Sequence, residues 1–145
     1  MQIQSNQFAT LPLPSHRTAV APDGSDVRVL LSLPTGSMAH FELGAGKTSR
    51  AVTHRTVEEI WYVLSGRGEI WRKQDQREDI VTLEPGVCLT IPVGTHFQFR
   101  ASPTKFVSVV AVTMPPWLGE GEAVAVLGPW LASEPQTSSA AHRAA

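Results

Sequence analysis

Short apolar runs rich in Val, Ile, Leu and Trp recur between residues 27 and 113, and Gly or Pro closes nearly every one. A barrel or sandwich of short strands needs this punctuation, because Gly and Pro supply the backbone angles of tight turns. The pattern predicts strands over 27–33, 37–43, 50–54, 59–65, 68–73, 80–83, 87–91, 97–100 and 105–113. Turns are predicted at 34–36, 44–46, 65–66, 84–86 and 92–95. No helix-period segment of useful length precedes the tail, and no internal repeat is visible. The expectation is an all-β domain in four parts. Residues 1–25 form an irregular arm and residues 26–113 the barrel. Residues 114–132 form a Pro- and Trp-bearing extension that packs on the barrel or on a second subunit. Residues 133–145, small and polar, form a disordered tail.

Composition narrows the partners. At 145 residues the chain is one domain with enough length for a real core. A net charge of -1 offers no basic face for nucleic acid. The densest charged run, "RKQDQRED", mixes both signs and reads as a solvated hairpin turn. The single cysteine, Cys88, rules out an intrachain disulfide, fits a reducing compartment and is expected to be a buried structural thiol. The start, "MQIQSNQFAT", carries no basic stretch followed by an apolar run, and no apolar run reaches membrane-spanning length. A cytoplasmic protein without membrane partners is the expectation.

Two stretches carry the candidate chemistry: residues 52–66, "VTHRTVEEIWYVLSG", and residues 86–101, "GVCLTIPVGTHFQFRA". Together they resemble the two signatures of a cupin, each with one metal ligand missing. The first signature has the form G-x5-H-x-H-x4-E-x6-G. Gly46, His54, Glu59 and Gly66 fit it without a gap, and Val52 stands at the first His. The second has the form G-x5-P-x-G-x2-H-x3-N. Gly86, Pro92 and Gly94 fit, Phe97 stands at the ligand His, and Ala101 stands at the Asn. The resemblance implies a double-stranded β-helix, or jelly-roll barrel, and a homodimer formed through the outer sheet. In such proteins two His and a Glu of the first signature and one His of the second usually bind a transition metal.

With two ligands gone, the cofactor is either absent or a weakly held divalent transition metal on His54, Glu59 and His96. His96 reaches the interior only through a bulge, since regular alternation points it opposite to Phe97. His40 either joins His54 and Glu59 or faces outward beside Glu42, with Ala39, Phe41 and Leu43 in the core. Without metal, His54 and Glu59 are a candidate catalytic acid–base dyad, or else a relic that only hydrogen-bonds within itself. Val52, Trp61, Phe97 and Phe99 share interior parity with the dyad and, with His40, make up the candidate pocket. Val and Phe in place of two imidazoles suit an apolar or aromatic ligand. Three functions compete: a small-molecule-binding barrel with metal-independent isomerase-, cyclase- or lyase-like chemistry, a metal-dependent dioxygenase or isomerase, and a non-catalytic structural or regulatory module. The first is preferred.

Overall fold

The computed structural model describes residues 6–119 and 121–133, and every regular element among them is a β-strand. In chain order these are β1 (Ala19–Val20), β2 (Asp26–Leu33), β3 (Gly36–Leu43), β4 (Val52–His54), β5 (Glu58–Gly66), β6 (Gly68–Gln74), β7 (Arg77–Leu83), β8 (Cys88–Ile91), β9 (His96–Ala101), β10 (Val107–Met114) and β11 (Ala123–Ala125). They form two antiparallel sheets, one ordered β1-β2-β3-β10-β5-β8 and the other β11-β4-β9-β6-β7. All nine predicted strands are present, with no end shifted by more than three residues. The two additional strands, β1 and β11, lie in the arm and in the C-terminal extension, where the apolar pattern predicts no strand. Each is two or three residues long, too short for a period-two pattern to register. The disordered tail predicted over 133–145 lies, apart from Ser133, outside the described residues.

Alternation builds the interior. β10 pairs with β3 and β5 so that Ala111 sits between Ala39 and Trp61, and Thr113 between Ser37 and Glu59. In the opposite sheet Phe97 pairs with Val52 on one side and Arg72 on the other. Trp61, Val63 and Val109 from one sheet meet Val52, Ile70, Phe97 and Phe99 from the other in one continuous buried cluster. Phe41, Trp61, Phe97 and Phe99 fill its centre through stacked and edge-to-face contacts, with ring centroids 5.0 to 6.3 Å apart. The turn that closes the first signature tolerates only glycine. Gly66 has φ +83°, and a Cβ there would lie 1.8 Å from the carbonyl oxygen of Phe106.

The two outer faces differ. The C-terminal extension covers the smaller sheet: Val126 N–H donates to Ala51, Gln98 exchanges hydrogen bonds with the backbone of Trp130, and Arg100 stacks over the Trp130 ring at 4.0 Å. This explains why Gln98, on an outward position, is only 1% exposed. On the larger sheet the N-terminal arm reaches β2 and β3, where Arg28 Nε donates to the Pro14 carbonyl, while the side toward β5 has no comparable cover among the described residues. Met38, Ile60, Tyr62 and Leu64 stand 40 to 50% exposed on it. Cys88 lies on the same face opposite Tyr62 and is exposed, correcting the expectation of a buried thiol. Its inward neighbours Leu89 and Ile91 take the core positions of β8.

Candidate functional site

Val52 and His54 are the inward residues of the short strand β4, two apart and therefore on one face. Glu59 enters from β5, where Thr113 and Ile91 flank it on the neighbouring strands. The two sheets thus bring His54 Nδ1 to 3.3 Å from Glu59 Oε2, with His54 6% and Glu59 4% exposed. The distance is that of an ion pair, but Nδ1 has no aligned hydrogen-bond partner. Burial also pushes both groups toward neutrality, so we read the contact as a neutral acid beside a neutral base rather than a salt bridge. Burial raises the Glu59 pKa from 4.5 to about 7, offset in part by the hydrogen bond from Trp61 and reinforced by the field of Asp23. Burial lowers the His54 pKa from 6.5 to about 4 against the opposing field of Glu122.

Trp61 orients the acid. Its indole N–H donates to Glu59 Oε1 at 2.6 Å, leaving Oε2, the oxygen facing His54, to carry the proton. Phe97 and Trp117 both meet His54 in T-shaped contacts, with ring centroids 5.2 and 5.0 Å away. Trp117 belongs to the connection after β10, and the sequence reading missed its role because no strand parity places it. The same is true of Glu122. Its carboxylate accepts from the Thr56 and Val57 amides at 2.7 and 2.8 Å and from the Thr56 hydroxyl at 2.7 Å. Burial would raise the Glu122 pKa, but these hydrogen bonds, with the field of His54, outweigh it and the net shift is downward.

The remaining candidates separate cleanly. Val52, Trp61, Phe97 and Phe99 line the interior, each no more than 3% exposed. His96 does not join them. β9 runs without a bulge, and His96 pairs with Thr53 and Lys73 on the face opposite Phe97. His40 also points away from the dyad. It pairs with Arg28 and Val110 on the outer face, where Arg28 approaches its Nδ1 at 3.4 Å. It is nonetheless buried rather than solvated, because Arg28 and the arm cover it; Arg28 Nε donates to the Pro14 carbonyl at 2.8 Å.

A metal centre does not fit these residues. His54 and Glu59 are the inward donors, and Val52 and Phe97 present hydrocarbon where two further ligands would stand. Among the described residues no three His, Cys, Asp or Glu side chains are grouped to hold one ion. A catalytic metal generally needs three protein ligands.

Known proteins place this architecture. None of the curated proteins matches the sequence. Among solved structures, KdgF from Halomonas sp. superposes with a TM-score of 0.61 at 16% identity, over 74% of this chain and 94% of that one. A conserved protein with a double-stranded β-helix domain from Klebsiella pneumoniae gives 0.59 at 16% identity, over 86% of this chain and 100% of that one. CapF from Staphylococcus aureus, a capsular polysaccharide assembling protein, gives 0.63 at 18% identity, over 81% of this chain but only 35% of CapF. At these identities the likeness is one of fold. The family model for the cupin domain matches residues 39–113, just over half the chain and the span that holds both signatures. With two antiparallel sheets closed around His54 and Glu59, the chain belongs to the cupin family.

Proposed function

We propose that this cupin binds a small apolar or aromatic molecule and transfers protons to or from it without a metal, Glu59 acting as acid and His54 as base. One observation carries the reading: a buried carboxyl and a buried imidazole stand 3.3 Å apart with both groups pushed toward neutrality. A neutral carboxyl donates and a neutral imidazole accepts, and both functions exist together between about pH 4 and pH 7. A substrate bound against both groups would gain a proton at one atom from Glu59 and lose one at another to His54. Return of that proton from His54 to Glu59 across their 3.3 Å contact restores the pair, the net change being an isomerisation. The aromatic surroundings exclude water and favour a planar, apolar ligand.

The test is deuterium incorporation from D2O into a panel of ring-bearing carbonyl compounds, followed by mass spectrometry in the presence of EDTA. Catalysed exchange that is lost in both Glu59→Gln and His54→Gln supports the reading. Exchange that disappears with EDTA in the parent protein assigns the chemistry to a metal instead. The packing of Phe41, Trp61, Phe97 and Phe99 in the barrel centre favours a second reading, a module without chemistry. Binding without exchange would select it.

The uncovered side of the larger sheet supports a homodimer. Met38, Val112 and Ile60 form one row across β3, β10 and β5, with Tyr62 in the next. An apolar face of this kind fits a second copy of the chain. The exposed lone thiol of Cys88 suits a reducing, cytoplasmic setting. No helix among the described residues is long and apolar enough to cross a membrane.

A further inference from the structure

The two rings that hold His54 are unequal. Phe97 is rooted in β9, 2% exposed, with ladder partners on both sides. Trp117 is only partly buried and belongs to no strand. Two clasps hang its segment across the site. Trp117 N–H donates to Ser37 Oγ at 3.1 Å, and farther on Glu122 grips Thr56 and Val57 through three hydrogen bonds. Between the clasps Gly119 and Gly121 take φ of +102° and +83°. Neither has any atom within 4 Å of where a Cβ would be, and Arg55 reinforces the second clasp, its Nε donating to the Gly121 carbonyl at 2.7 Å. Removing Phe97 from His54 means breaking a sheet. Turning the Trp117 segment away breaks its ring contact with His54 and the hydrogen bond to Ser37, and leaves the strand ladders of the barrel whole.

We propose that Trp117 is the specificity-determining residue of this site: its indole holds the place of a flat aromatic ligand, which reaches His54 by displacing it. The inference rests on the proposed acid–base reading and adds the ligand's shape and its route. What Trp117 covers is an imidazole that also packs against Phe97, the two rings meeting it at interplanar angles of 68° and 88°. A ligand that preserves this contact is a planar ring of about indole size, whereas a saturated or branched molecule loses the edge-to-face geometry. Glu122 acts from a distance, as the positioning residue that holds the segment down.

Carbethoxylation of His54 by diethyl pyrocarbonate, followed by peptide mapping, reads access to the imidazole directly. In the parent protein we expect slow modification at a rate independent of low urea, since turning one segment exposes little surface. The rate should rise at least tenfold in Trp117→Ala and in Glu122→Gln and return toward the parent value in Trp117→Phe. Added indole should protect His54 in Trp117→Ala and shift its ring resonances in the NMR spectrum. Three results overturn the proposal: an unchanged rate in folded Glu122→Gln, a parent rate that climbs with urea in step with global unfolding, or no protection by indole in folded Trp117→Ala. If Trp117→Ala does not fold, the Glu122→Gln rate and the urea dependence decide alone. None of these readouts uses turnover. Failure here leaves the acid–base dyad standing, and success here with no exchange activity leaves a gated aromatic site without chemistry.

Discussion

Glu59 and His54 illustrate how burial sets the chemistry of two side chains that would be an ordinary ion pair in water. The sign of each effect on stability follows from proton counts. The raised pKa of Glu59 means that the folded state keeps a proton the unfolded state loses, so its contribution is full below pH 4.5 and is lost as pH rises through about 7. The lowered pKa of His54 does the reverse: its contribution is full above pH 6.5 and is lost as pH falls through about 4. Across 4.5 to 6.5 the two slopes cancel, because folded and unfolded pairs each hold one proton. Single substitutions should break the cancellation. Relative to the parent, Glu59→Gln should gain stability as pH rises across this window, by up to about 1.4 kcal/mol per pH unit. His54→Gln should gain by the same slope as pH falls. Urea denaturation at closely spaced pH values checks both, and parallel pH profiles for parent and variants would refute the assignment.

At the scale of strands, register decides which residues of the two signatures meet. Val52 and Phe97 are direct partners across β4 and β9, and both face His54 and Glu59. Restoring imidazoles at those two positions should therefore restore a metal site. The Val52→His/Phe97→His double variant is expected to bind close to one equivalent of zinc by elemental analysis. A folded double variant that binds none would contradict the register. Gly66→Ala should lower stability by about 2 kcal/mol or more, since it combines a positive φ with a collision against the Phe106 carbonyl, and a melting curve tests it. The ungapped match to the two signatures, with strict strand alternation, put Val52, His54, Glu59 and Phe97 on inward positions, and all four are buried there. Alternation left two histidines open, His96 because a bulge could turn it inward and His40 because either face of its strand could be the inner one; the strand register turns both outward. The sequence did not reveal Trp117 and Glu122. Both come from an irregular segment whose path depends on hydrogen bonds to Ser37, Thr56 and Val57, and no periodicity encodes those.

For the whole molecule, the covered smaller sheet and the open β5 side of the larger one divide the labour. The extension that packs over the smaller sheet also carries Trp117 to the mouth of the barrel, so the segment that completes the fold also guards the site. The open side is free for a second copy. Tyr62→Lys combined with Ile60→Glu should leave the barrel folded and yield a monomer by sedimentation, where the parent should sediment as a dimer. A parent that sediments as a monomer at micromolar concentration would remove the dimer from the account. The central claim concerns the pair at the barrel's heart, and one measurement reaches it most directly. Titrating the Glu59 side-chain carboxyl and the His54 ring by NMR, with Glu59→Gln and His54→Gln for assignment, should show the carboxyl titrating near pH 7 and the imidazole near pH 4. A carboxyl that ionises at or below 4.5, beside an imidazole that stays charged above 6.5, would mean an ion pair and contradict the account.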